Sequence, residues 1–225
     1  LIKALGAWIL ASILAWTYKE QIFAQLLAPA VGALAEGKGT LQAIAPGEIF
    51  FTYIKGALLG GFVLALPVVL WQAWSFVAPG LYPNEKRLAV PFVLVSTLLF
   101  VSGALFGHQL VFPIMFKFLS EFESDFVQAA WSMREVFSMT TTMFLAFGAS
   151  FEMPVVVFFL ASAGILTVGQ LLKNFPYALL VCFVIGAVLT PSTDWVSQTL
   201  PAVPMAVLYL LGILPAGLFG ADPPP

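Results

Sequence analysis

Glu152 is the only ionisable side chain between Val136 and Ala163, set in the run Phe147-Gly148-Ala149-Ser150-Phe151-Glu152-Met153-Pro154. An uncompensated charge near a bilayer centre costs at least ~3 kcal/mol on insertion scales, so this carboxylate must face protein or water and not lipid. On a helix, Ser138, Thr141, Leu145 and Gly148 project within about 40° of it. The acid therefore shares a face with two hydroxyls and a side-chain-free gap, and that face reads as the lining of a groove. Pro154 has no N–H and frees the carbonyl of Ser150, which predicts a kink and spare hydrogen-bonding capacity beside the acid. The alternative is a protonated glutamic acid bonded to a neighbouring helix for packing alone. The other reactive side chains are isolated. Cys182 is the sole cysteine, inside an apolar run, and reads as packing. His108 is the sole histidine and reads as an interfacial helix residue before a metal ligand. There is no paired-acid motif, metal-ligand spacing, nucleophile with a base or nucleotide-binding motif, so neither an enzyme nor a cofactor is expected.

The elements that must position these residues are membrane helices. Hydrophobic residues make up 61% of the chain and charged residues 9%, against about 25% charged in soluble domains, and the mean hydropathy is +1.01. Apolar runs are continuous and do not alternate, which selects helices over barrel strands. The expected fold is all-α, a single membrane domain over residues 1–225 with spans at about 1–17, 49–76, 88–112, 136–163, 177–190 and 195–214. Trp8, Trp16 and the lack of a small-x-small cleavage site make the first run a membrane helix whose beginning is missing, not a signal peptide. Within the loop that follows, residues 22–34 read as an interfacial helix. Residues 113–135 read as a second loop. The last two spans are brief, and thirteen helical residues reach only about 20 Å, short of the roughly 30 Å hydrocarbon core. The bilayer should thin there, or water should enter.

Six spans put both termini on one side. Lys3, Lys86, Arg87 and Lys173 lie on that side in short loops; Lys19, Lys38, Lys117 and Arg134, with Lys55 near an interface, are spread over longer, more acidic loops on the other. The density of cations places the Glu85 loop in the cytoplasm. The net charge of -2 argues against a nucleic-acid partner.

The run Ala65-Leu66-Pro67-Val68-Val69-Leu70-Trp71-Gln72-Ala73-Trp74-Ser75-Phe76-Val77-Ala78-Pro79-Gly80-Leu81-Tyr82, closed by Glu85-Lys86-Arg87, resembles the second helix and first cytoplasmic loop of the TatC family, the receptors of the twin-arginine protein translocase. The Phe147 to Pro154 run is similar to that family's fourth-helix motif. Ile185-Gly186-Ala187-Val188-Leu189-Thr190-Pro191 with Ser197-Gln198-Thr199-Leu200 resembles its last hairpin. The resemblance covers nearly the whole chain in order. It implies a glove-shaped bundle with a concave polar face in the bacterial cytoplasmic (inner) membrane, both termini cytoplasmic. Such a bundle binds twin-arginine signal peptides and recruits single-span partners of the TatA and TatB type to transport folded proteins, with self-association. By motif, Glu85 would pair with the peptide's arginines, and Phe76, Pro79, Leu81, Tyr82 and Arg87 would shape that site. A carboxylate accepts two parallel N–H bonds from a guanidinium, which lysine cannot reproduce; a loop salt bridge of Glu85 with Lys86 or Arg87 is the structural alternative. Glu152, Gln198 and Thr190 would form an intramembrane polar patch that meets partner helices, and Pro46 would lie in the first periplasmic loop. For Gln198, capping or an interhelix bond is equally open. The family's Leu-x-Glu-Leu-Arg segment before the first helix is absent from this sequence, and with it a second acidic contribution to peptide binding. The turn Pro191-Ser192-Thr193-Asp194 is one residue longer than the family pattern, so no role carries over to Asp194.

A function from another class is an ion- or proton-coupled transporter with Glu152 as relay. Such folds show internal repeats, and residues 1–112 and 113–225 share none; a second ionisable group on another span is also missing. The Glu85 loop separates the two readings, since a receptor needs it and a transporter does not.

Overall fold

A computed structural model describes residues 2–36, 40–77, 89–121, 130–162, 164–189 and 195–219. Among these the chain is helical apart from a pair of three-residue strands and short turns. It divides into two compact units, one of residues 1–97 and 105–145, the other of residues 98–104 and 146–225.

In the first unit, α1 (Ile2–Trp16) lies along α3 (Glu48–Val77). Trp16 stands beside Phe50 and Trp8 beside Phe62, so the two helices run in opposite directions. Close approach depends on Gly60 and Gly61. A Cβ at Gly61 would strike the Ser12 backbone, and one at Gly60 would lie 2.9 Å from Ile22 Cδ1. The Trp8 indole N–H donates to the Leu58 carbonyl at 2.8 Å, which fixes the register. The helix α2 (Lys19–Glu36) is longer than the 22–34 expected and tolerates Pro29 inside it. It buries Leu26, Leu27, Ala30, Ala33 and Leu34, an i, i+3/i+4 stripe, against α3 and α5.

The next helix corrects the sequence reading. From α4 (Ala89–Phe106) the chain passes through a π-helical segment, Gly107–Val111, into α5 (Phe112–Ser120). The helical run therefore reaches Ser120, where the sequence had suggested a loop from Pro113. Pro113 sits in the first turn after the π segment, where its missing N–H removes no needed bond. His108 Nε2 is 2.8 Å from the Gln25 carbonyl and ties the π segment to α2, a packing role. Two strands, β1 (Thr40–Gln42) and β2 (Ala130–Ser132), pair in parallel with Leu41 opposite Trp131.

The fourth apolar run is two helices, α6 (Met133–Ser150) and α7 (Met153–Ser162). Gly164, at φ +68°, turns the chain out of α7 while Ile165 and Leu166 N–H groups return to the Leu160 carbonyl. A short α8 (Val168–Lys173) follows, begun by a reciprocal cap between Thr167 and Gln170, in the interval between the expected spans 136–163 and 177–190. In the second unit, α9 (Phe175–Leu189) pairs with α10 (Trp195–Phe219). At 25 residues, α10 extends beyond 214 and reaches about 37 Å; α9, at 15, reaches only about 22 Å. Pro201 does not break α10: its ring packs over Gly186, and membrane helices absorb such prolines through neighbouring contacts. Cys182 is buried against Ala202, Met205 and Ala206, and Tyr209 donates its hydroxyl to the Leu171 carbonyl at 2.9 Å.

By length and composition, Glu48–Ser75, Val90–Ser120 and Met133–Ala161 can each cross a membrane, and Ile2–Trp16, Phe175–Val188 and Gln198–Leu214 are shorter apolar helices. Leu10, Leu98 and Val188 stand at least 70% exposed, the pattern of a protein whose solvent is lipid. The fold is an all-α integral membrane bundle with six apolar helical stretches among the described residues.

Candidate functional site

Glu152 sits where α6 ends and α7 begins. A helix passing through Pro154 would lose the bond to Ser150 and push the ring into that carbonyl, and a residue before proline avoids the α region. The chain responds with more than the expected kink. Phe151 and Glu152 form a turn, and Pro154 falls in the first turn of a new helix, its favoured place. The Glu152 carbonyl accepts from Val155 and Val156 N–H, each at 3.0 Å, and its own N–H donates to Ala149 at 3.1 Å. Ser150 donates its hydroxyl to the Ala146 carbonyl at 2.6 Å, which bends the last turn of α6 further. The Glu152 side chain is half-buried with Oε1 withdrawn from solvent.

Glycines hold this turn from two sides. A Cβ at Gly103 of α4 would come within 2.5 Å of Phe151 Cγ and 2.6 Å of the Phe147 carbonyl; one at Gly148 would come within 2.5 Å of the Phe100 ring. A Cβ at Gly212 of α10 would lie 2.7 Å from Pro154 Cα. The gap at Gly148 is therefore filled by Phe100 and is not an open groove lining, which corrects the reading from the helical wheel. Ser138, Thr141 and Leu145 do line a groove, within the first unit, together with Trp8, Lys55 and Phe62.

Gln198 is half-buried in the first turn of α10, and a Cβ on Gly186 would lie 2.8 Å from its carbonyl oxygen. It lies fourteen residues before Gly212, hence about 20 Å along α10 from the point that touches Pro154. The structure thus separates Gln198 from the Glu152 turn by four helical turns, where the sequence had grouped them in one patch. Thr190 lies outside the described residues.

The other predicted site falls between α3 and α4. Glu85, Pro79, Leu81, Tyr82 and Arg87 lie outside the described residues; Phe76 belongs to the last turn of α3. Just before this segment Trp74 stacks on Phe92 with ring centroids 5.0 Å apart, so the two helices that carry the loop are clasped at its base.

Pro46 is exposed in a turn that leads into Glu48, a residue the sequence reading passed over. Glu48 is 7% exposed. Its Oε2 accepts from Ile44 N–H at 2.7 Å and Ala45 N–H at 3.1 Å; its Oε1 accepts from Arg134 N–H at 2.6 Å and the Ser132 hydroxyl at 3.2 Å. One carboxylate fastens the starts of α3 and α6 beside the β1–β2 pair. Its signal was available as an acid directly after Pro46-Gly47 at the head of a long apolar run, the N-terminal position where anions are favoured.

The TatC family profile, described as Sec-independent protein translocase protein, matches residues 1–204. Curated proteins of that name are similar in Desulforapulum autotrophicum, at 42% identity over 92% of this chain and 76% of the relative. They are similar also in Azotobacter chroococcum, at 39% over 98% and 84%, and in Escherichia coli, at 39% over 87% and 75%. The crystal structure of the twin arginine translocase receptor TatC matches with a TM-score of 0.84 and 36% identity, over 97% of this chain and 95% of that one. These relatives are translocase proteins, and the transporter reading of Glu152 is set aside. Identity of 39–42% through most of the sequence, with the fold reproduced along it, has one meaning: the chain belongs to the TatC family of Sec-independent protein translocase proteins.

Proposed function

We propose that this protein is the receptor subunit of a twin-arginine translocase in a bacterial cytoplasmic membrane. It binds the twin-arginine signal peptide of a folded precursor and recruits single-span partners of the TatA and TatB type. The observation that carries this reading is the match of 97% of the chain, at 36% identity, to a solved twin arginine translocase receptor. In this reading both termini and the Glu85 loop are cytoplasmic, and the Pro46 turn is periplasmic. Glu85 forms a bidentate pair with a signal-peptide guanidinium, and Phe76, Pro79, Leu81, Tyr82 and Arg87 shape the surface around it. The Trp74–Phe92 stack supports this arrangement by keeping the loop ends together. No chemical step is assigned to the chain; its work is recognition and assembly, including self-association.

The partner-helix role falls on Glu152, Gln198 and Thr190. Because Gln198 lies four turns along α10 from the Gly212–Pro154 contact beside the Glu152 turn, the two would meet a partner helix at different depths. The deciding experiment is the affinity of the purified protein for a twin-arginine signal peptide, against a twin-lysine peptide and against Glu85→Ala. Binding that is lost by at least about tenfold in both controls supports the assignment, as expected for a charge-assisted bidentate bond of about 1.5–3 kcal/mol. Equal binding in all three would show the loop to be structural and would overturn it.

A further inference from the structure

Lys55 is the only charged side chain between Glu48 and Glu85. A lysine within a spanning segment is costly unless it meets an anion or water. Among the described residues no carboxylate pairs with it, and its side chain is exposed. It opens into a groove of about 470 Å³ between α1, α3 and α6.

The lining of that groove is graded along the helices. Glu48 and Arg134 stand together through the carboxylate bond, so α3 and α6 start at one level and run the same way. Measured from there at 1.5 Å per residue, Ser138, Lys55 and Thr141 lie about 8–12 Å in, while Leu58, Leu145 and Phe62 lie about 15–21 Å in. The outer end is cationic and hydroxylated; the inner end is apolar. The hydroxyls differ in availability. Thr142 donates to the Ser138 carbonyl at 2.8 Å, whereas Thr141 Oγ1 has no partner among the described residues and is closed off from water.

We infer that this groove binds an anionic membrane phospholipid, with Lys55 and the exposed Ser138 hydroxyl around the headgroup phosphodiester and an acyl chain along Leu58, Phe62 and Leu145. The charge complements Lys55, whose flexible stem reaches outward to the headgroup level. The order of polar and apolar walls is that of a lipid entering from the same face as the Glu48 clamp.

The test is native mass spectrometry of the delipidated whole protein titrated with phosphatidylglycerol or phosphatidylcholine. The expected result is preferential retention of phosphatidylglycerol, reduced about five- to tenfold by Lys55→Gln, the equivalent of about one juxtamembrane charge, and retained by Lys55→Arg. Lys117→Gln serves as a control for unspecific attraction and should change nothing. The inference is overturned if Lys55→Gln binds phosphatidylglycerol as the wild type does, if Lys117→Gln loses as much, or if millimolar inorganic phosphate displaces the lipid. It is equally overturned if Lys55→Gln leaves lipid retention intact and instead releases a co-purified single-span partner protein.

Discussion

A carboxylate with four donors around it has little tolerance for change. Glu48→Gln keeps an acceptor oxygen but turns an NH2 group toward two of the N–H or O–H donors it now serves. Its melting temperature in detergent should fall relative to the wild type, while Glu20→Gln, on the exposed side of α2, should leave it unchanged. Glu152→Gln is expected to act differently. If the acid belongs to the partner-helix surface, signal-peptide affinity stays within twofold while co-purification of single-span partners drops; a loss of peptide affinity would count against that division. The two acids also differ in how they could be read from sequence. Glu152 was legible because nothing ionisable surrounds it in a long apolar run. Glu48 was legible only as an acid at a helix start and not as a clamp, because three of its four donors are backbone groups, one of them 86 residues away. No side-chain pattern reports that.

Among the helices, small residues decide which pairs approach. Gly61→Leu or Gly103→Leu would drive a side chain into Ser12 or into Phe151 and Phe147, and overpacking of this kind costs typically about 1–3 kcal/mol. Gly6→Ala, where nothing lies within 4 Å of the added carbon, should be neutral or slightly stabilising in the same melting assay. Pro154→Ala restores an N–H that can donate to the Ser150 carbonyl, so α6 and α7 should join; amide exchange across residues 151–155 should slow, with partner assembly impaired by the moved carboxyl. The helix positions themselves were readable from apolar run lengths and flanking turns, and α1, α3 and α9 lie close to where the runs place them. Proline misleads at Pro113, which lies inside a helical stretch and is excused by a π segment; Pro201, inside the expected 195–214 span, is accommodated by its packing on Gly186. Proline's local effect depends on which neighbour receives the freed carbonyl, and sequence spacing does not say. The Thr167-x-x-Gln170 cap was a local signal that could have been read.

At the level of the whole molecule, helix length and bilayer thickness are mismatched on one side. The 15 residues of α9 extend about 22 Å, against a core of about 30 Å. Reconstitution into bilayers of shorter acyl chains should therefore raise the thermal midpoint, and longer chains should lower it; independence from thickness would mean that water, not thinned lipid, fills the difference. Resemblance to a family carried the functional reading at this scale, whereas composition alone delivered only the membrane and the helices. The first unit is also discontinuous in sequence, closed by residues 105–145, and its clamp joins Glu48 to Arg134. At roughly 5–20 residues per second of synthesis, the 86 residues between them take about 4–17 s to emerge. Through that interval α1 and α3 are already made while two of the acceptor sites on Glu48 stand empty, so the nascent chain waits half-assembled, and anything that holds or shields that acid during biogenesis acts in a window of seconds.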